Sequence, residues 1–124
     1  MVKQLNREEI EEQATIFSAL ADPTRLRLVK LLCQQREGRA LCVNALAALL
    51  GVSQSAVSQH LKILKAIGLV KSERRGYFIH YFINREVLEY CRQQSLAALS
   101  PSKPENEEDD DFCPLRRRRN GLEG

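Results

Sequence analysis

The chain is predicted to be mostly α-helical with one small β-hairpin wing, a winged helix-turn-helix, and three observations within residues 43–85 carry that prediction. Apolar residues recur at helical spacing in two consecutive segments. Gly51 and Ser53 stand between those segments, where one helix must stop and the next begin. Two β-prone runs follow, joined by Arg74, Arg75 and Gly76. Helix, tight turn, second helix and basic hairpin, in that order, make a unit whose second helix suits a DNA major groove.

Each element has a local cause. Asn6 followed by Glu9 resembles a capping box, and Ile10, Ala14, Phe17 and Ala21 mark one face of a first helix. Asp22 and Pro23 suit the N-cap and first position of a second helix reaching about residue 35. A polar connection over 36–39 leads into Ala40, Leu41 and Cys42, expected as a short extended piece beside the hairpin. Val43, Leu46, Ala47 and Leu50 then line the buried stripe of a third helix, which Gly51 ends. Ser53 caps a fourth helix, because its hydroxyl can accept from a first-turn amide, and Val57, Leu61 and Leu64 continue the buried face. Gly68 closes that helix, and residues 70–73 and 77–83 are strands rich in β-branched and aromatic side chains. Gly76 supplies a positive φ at the turn between them. Asn84 caps a final helix over 85–99, with Val87, Leu88, Cys91 and Leu99 on its apolar side, and Ser100 and Pro101 end it.

The outer face of the fourth helix carries chemistry. Gln54, Ser55, Ser58, Gln59, Lys62 and Lys65 can bond base edges or phosphate oxygens, where an ordinary surface helix carries Glu and Lys pairs. With Ser53 and His60 on the same helix and Lys71, Arg74, Arg75 and Tyr77 in the wing, these form the expected DNA-contact set. The bland alternative is a solvated hairpin on a two-helix corner. Charge argues against it: residues 53–85 carry six basic side chains against Glu73 alone, a net +5, whereas residues 1–52 carry seven against six, a net +1. The positive field is local to the reading head, the footprint of nucleic-acid binding.

The segments ALADPTRLRLVKLL at 19–32, SQSAVSQHLKILKAIGLV at 53–70 and ERRGYFIHYFIN at 73–84 resemble the ArsR/SmtB, or arsenic-repressor, family of bacterial metal- and thiol-responsive regulators. The resemblance covers about residues 10–99. It implies a homodimeric repressor that binds a double-stranded operator, an inverted repeat, and leaves when an inducer binds. It also implies that the first and last helices form the dimer interface, through Ile10, Phe17, Leu88 and Cys91.

Composition fits one such domain over residues 1–100 and a charged tail over 101–124. At 124 residues and 44% hydrophobic content the chain supports one modest core. The tail joins prolines, an acidic block and Arg116–Arg119 with almost no apolar content, and is expected to be disordered. Its net charge of −2 makes it a solvated extension sooner than a phosphate anchor. No apolar run approaches a membrane span and the N-terminus lacks signal-peptide character, so a cytoplasmic protein is expected. No nucleophile–base pair or phosphate loop is present, so enzyme activity is not expected, nor is any cofactor needed for DNA binding.

Four cysteines, at 33, 42, 91 and 113, are widely spaced and include no CxxC pair, which argues against a disulfide framework and a zinc ribbon. In the arsenic-responsive branch of the family that this chain resembles, a Cys-Val-Cys motif opens the third helix; the matching residues here are Cys42, Val43 and Asn44. One ligand is kept and one is lost. The zinc-sensing branch uses Asp and His on the last helix, and residues 85–99 contain no His. His60 and His80 read as structural or DNA-facing side chains. Cys33, Cys42 and Cys91 remain as a candidate inducer site, with three thiolates suiting As(III), Sb(III) or another soft metal. Cys pairs could instead respond to oxidants or reactive sulfur. Taken singly, each cysteine reads as a small buried hydrophobe. Cys113 follows an acidic run that disfavours its thiolate. A reading from another class, a winged-helix module that binds a protein and no DNA, is disfavoured by the Gln- and Ser-rich helix face.

Overall fold

The computed structural model describes residues 5–35 and 41–101. In chain order the elements are α1 (Arg7–Leu20), α2 (Pro23–Gln34), β1 (Leu41–Cys42), α3 (Val43–Leu50), α4 (Gln54–Ala66), β2 (Val70–Arg75), β3 (Phe78–Ile83) and α5 (Arg85–Leu99). Side-chain caps set most of the helix starts. Asn6, Asp22, Ser53 and Asn84 accept from the amides of Glu9, Arg25, Ala56 and Val87, satisfying donors that a first turn leaves unpaired. α3 begins differently, on Cys42, which makes no side-chain cap bond. It ends on Gly51 at φ 68, a left-handed cap that a side chain would strain.

The sheet is antiparallel, in the order β1-β3-β2. Leu41 pairs with Tyr81 and Cys42 with His80, so the short extended piece does lie beside the hairpin. The wing differs from expectation at its tip. Pairing continues to Arg75 opposite Phe78, which leaves Gly76 and Tyr77 as a two-residue turn and makes Arg74 and Arg75 strand residues. Gly76 has φ 65 and no described non-glycine residue has positive φ. A positive φ at the first of two loop positions is the type II′ requirement, and it lets β2 run to Arg75, beyond the expected residue 73, while β3 begins at Phe78 and not at Tyr77.

One apolar core lies where α2, α3, α4 and the base of the hairpin meet. Leu28, Leu46, Val57 and Leu64 are wholly buried, and Leu32, Ala47, Leu50, Leu61, Leu69, Val70 and Ile83 complete the cluster. Each buried Leu or Val contributes about 1.5–3 kcal/mol over an exposed position. The third- and fourth-helix stripes expected from periodicity are the ones buried, with Val43 at its edge.

The outer helices depart from expectation. On α1 the buried residues are Gln13, Ile16 and Ala19, while Ile10 is 43% exposed and Ala14 and Ala21 face outward. Two stripes share this helix, and the one turned toward α5 includes a glutamine. Gln13 Nε2 donates to Gln94 Oε1 at 3.1 Å and to Glu9 Oε1 at 3.4 Å. Tyr90 of α5 likewise donates its hydroxyl to Glu12. On α5 only Cys91 is buried, Val87 and Leu88 are half-buried, and Leu99 is 76% exposed, so Leu99 leaves the expected buried side. Cys91 is covered by its own chain. It is therefore a poor candidate for the dimer surface expected of it.

The connection over 36–39, Ala40 of the expected extended piece, and the tail with Cys113 and the Arg run lie outside the described residues apart from Pro101. No helix among the described residues is long and apolar enough to cross a membrane.

Candidate nucleic-acid interface

The tight turn between α3 and α4 and the buried stripe Val57, Leu61 and Leu64 press one side of α4 onto the core. The other side is thereby exposed: Gln54, Ser55, Ser58, Gln59, Lys62 and Lys65 all face outward. Among the described residues the side chains of Gln54, Ser55, Ser58 and Gln59 make no hydrogen bond within the chain. Their donors and acceptors are turned to solvent. Ser53 is also exposed, with its hydroxyl occupied by the Ala56 amide.

Three side chains fix the pose of this helix. Arg25 Nε donates to the carbonyl of Ala19 at 2.6 Å and its Nη2 to that of Ser18 at 3.4 Å, closing the end of α1. Its Nη1 lies 3.3 Å from His60 Nδ1. Asp22 Oδ2 is 3.7 Å from the same ring nitrogen. His60 is thus turned toward α2, a positioning role and not a base-reading one. The Arg25 amide holds the Asp22 carboxyl below its ordinary range, partly opposed by desolvation, with His60 and Arg25 adding to the lowering. Arg27 Nη2 donates to the Leu50 carbonyl at 3.1 Å, tying α2 to the end of α3.

The wing is joined to α4 by one polar bond, from Lys65 Nζ to Ser72 Oγ at 2.6 Å. Alternation along β2 puts Val70, Ser72 and Arg74 on one face and Lys71, Glu73 and Arg75 on the other. Because Val70 is buried and Ser72 meets α4, the exposed Arg74 extends the α4 side of the wing. Arg75 Nη2 pairs with Glu73 Oε2 at 3.3 Å. Tyr77, at the tip, is 97% exposed. The expected contact set is therefore brought to one side of the molecule for α4, Lys65 and Arg74, while Lys71 and Arg75 lie on the opposite face of the strand.

The thiols do not gather. Cys33 is half-buried at the end of α2, and its carbonyl accepts from Arg85 at 3.4 Å. Cys42 is half-buried where β1 becomes α3, and Cys91 is buried beneath α1. All three are free thiols. Burial pushes the Cys33 thiol up against the opposing pull of Arg85, and burial with the Glu12 charge raises Cys91. Among the described residues no group of three or more His, Cys, Asp and Glu side chains could hold a metal ion. The expected convergence of Cys33, Cys42 and Cys91 is absent within one chain, since they sit on three different layers of the fold.

His80 is the residue that sequence reasoning undervalued. It is the direct cross-strand partner of both Cys42 and Glu73, which places the three in one row on one face of the sheet. Its Nδ1 is buried and has no hydrogen-bond partner. A two-residue strand has no periodicity from which that register could be read.

The model of bacterial regulatory proteins of the arsR family matches residues 22–72. A transcriptional repressor SmtB homolog of Synechocystis sp. is 46% identical over 77 residues, 62% of this chain and 55% of that protein. The arsenical resistance operon repressor of Bacillus subtilis is 34% identical over 91 residues, 73% of this chain and 84% of that repressor. The matched segment thus spans about half of the first relative and most of the second. Among solved structures, a homodimeric winged helix-turn-helix DNA-binding domain from Mycobacterium bovis superposes with a TM-score of 0.58 at 30% identity, over 73% of this chain and 78% of that one.

Proposed function

The chain belongs to the ArsR/SmtB family of transcriptional repressors and is not an enzyme, and on that premise we propose that it acts as a homodimer on an inverted-repeat operator. Gln54, Ser55, Ser58 and Gln59 of each α4 read base edges, and Lys62, Lys65 and Arg74 neutralise phosphates on that side, with Lys71 and Arg75 reaching backbone phosphates from the opposite face of the wing and Ser53 and Tyr77 at the margins of the contact. The observation that carries this reading is the outward polar face of α4, where the side chains of Gln54, Ser55, Ser58 and Gln59 have no hydrogen-bond partner among the described residues. Ile10, Tyr90, Leu96 and Leu99, exposed on α1 and α5, together with Phe17 and Leu88, supply an apolar surface for a second copy. The homodimeric state of the Mycobacterium bovis relative supports the same arrangement.

The inducer in this reading is thiol-reactive: As(III), Sb(III) or another soft metal, with Cys42 at the start of α3 as its first donor. The arsenical-resistance role of the Bacillus subtilis relative supports that class. A three-thiolate site does not fit the described residues of one chain. Release requires only that the inducer favour the wrong dimer geometry by about 2–3 kcal/mol.

A gel shift on the DNA upstream of the chain's own coding region tests the proposal. One dimer is expected to retard it in preference to unrelated duplex, and arsenite to reverse the shift even under reductant, whereas release by reactive sulfur is undone by reductant. Arg75→Ala is expected to weaken binding to all sequences and flatten the salt dependence by about one unit of slope. Equal affinity for operator and unrelated duplex would overturn it.

A further inference from the structure

We propose that Cys42 and His80 form a two-donor site for a soft d10 cation of low coordination number, with Cu(I) as the test case. The inference rests on the reading that the ligand is thiophilic, and it narrows that reading to one thiolate and one imidazole.

The sheet register carries the proposal. Cys42 and His80 are direct partners across β1 and β3, and such partners project to the same face with Cβ atoms about 4.5–5.5 Å apart. A metal bonded at about 2.3 Å to sulfur and about 2.0 Å to an imidazole nitrogen spans a gap of that size. The imidazole offers a nitrogen with nothing else to do: Nδ1 of His80 is buried and unpartnered, an arrangement that native structures avoid unless something meets the atom. Cys42 is likewise uncommitted. It stands at the N-cap of α3 without a side-chain bond to the first turn, so the positive end of that helix lies beside the anionic sulfur a metal requires.

Donor number selects the cation. Glu73 is the next residue in the row, opposite His80, but its carboxylate engages Arg75 Nη2 at 3.3 Å. No group of three or more donors is placed for a metal among the described residues. Zn(II) takes four ligands in structural sites and is poorly served by two. A thiolate with an imidazole suits a soft copper ion. Occupancy would tie the start of α3 to β3, the strand that returns from the wing tip.

The test is anaerobic Cu(I) titration of the full-length chain against a chelator of known affinity, with X-ray absorption of the loaded protein. One Cu(I) per chain is expected, coordinated by one sulfur and one nitrogen. Loss of an outer-shell partner alone weakens metal sites by about 10–100-fold, so Cys42→Ser and His80→Gln should each weaken binding by at least about tenfold. Cys33→Ser and Cys113→Ser should leave it unchanged. Circular dichroism of each variant separates loss of the site from loss of the fold, and the absorption spectrum of the unsubstituted chain decides the ligand set if a variant does not fold. All-sulfur coordination, or unchanged affinity in folded His80→Gln, overturns the proposal. Operator binding by the metal-free chain is measured in parallel: its absence would overturn the repressor reading and leave the metal result standing.

Discussion

The helix-turn-helix core and the α1–α5 seam are built from the same kinds of residue and are closed in opposite ways. Around α3 and α4 every inward position is apolar, and the large ones are at most 7% exposed. Between α1 and α5 the inward positions include Gln13, held by Gln94, and the thiol of Cys91, while Ile10, Leu96 and Leu99 face outward. A core that excludes water by itself needs no partner. A helix pair that keeps its polar contact inside and its leucines outside has the stamp of half an interface. One half of the molecule is complete as a single chain, and the other asks for a second copy.

The largest expected effect tests the complete half. Leu61→Ala removes a side chain that is 1% exposed between α4 and the core, and should cost about 2–5 kcal/mol in urea denaturation. A cost under about 1 kcal/mol would show that this core is not the seat of stability. Next comes Gln59→Ala, which should cost about 1–3 kcal/mol at one operator position in a binding titration. Its melting midpoint should stay where it is, because the side chain is exposed and makes no hydrogen bond among the described residues; a lowered midpoint would put Gln59 in the core's service.

Asp22→Ala acts at the junction of the two halves. It removes the α2 cap and the carboxylate beside His60, and should lower the melting midpoint at neutral pH by a few degrees. Because the Arg25 amide holds the folded-state carboxyl below its ordinary range, its contribution is present above the unfolded-chain value and fades as pH falls through the lower folded one. Melting curves in acid should therefore converge for the two proteins. The smallest effect on the fold belongs to Leu96→Ala, at 58% exposure: stability of the single chain should change by less than about 0.5 kcal/mol. Sedimentation should nonetheless show a weaker dimer, and an unchanged dimer would remove α5 from the interface.

How much of this was legible in the sequence follows the same division. The caps at Asn6, Asp22, Ser53 and Asn84 and the stripes of α3 and α4 could be read because each is a local pattern that one chain satisfies alone. The buried side of α1 could not, because periodicity favoured Ile10, Ala14 and Phe17 over a stripe containing Gln13. The sequence predicts the turn over residues 74–76 and the structure has it at Gly76 and Tyr77, since nothing in the sequence says how far cross-strand pairing persists. The row from Cys42 through His80 to Glu73 is non-local in two steps, and no spacing rule connects positions 42, 80 and 73.

The uncommitted outer face of α4 also has a bearing on how such a protein changes over generations. Gln54, Ser55, Ser58 and Gln59 support no cap, no core contact and no hydrogen bond among the described residues. Exchanges at such positions usually alter stability by no more than about 0.5 kcal/mol. Duplicated copies can therefore drift toward different operators without first acquiring compensating substitutions, and a library randomised at these four codons should yield mostly folded members. The scaffold is a chassis on which address and architecture are inherited separately.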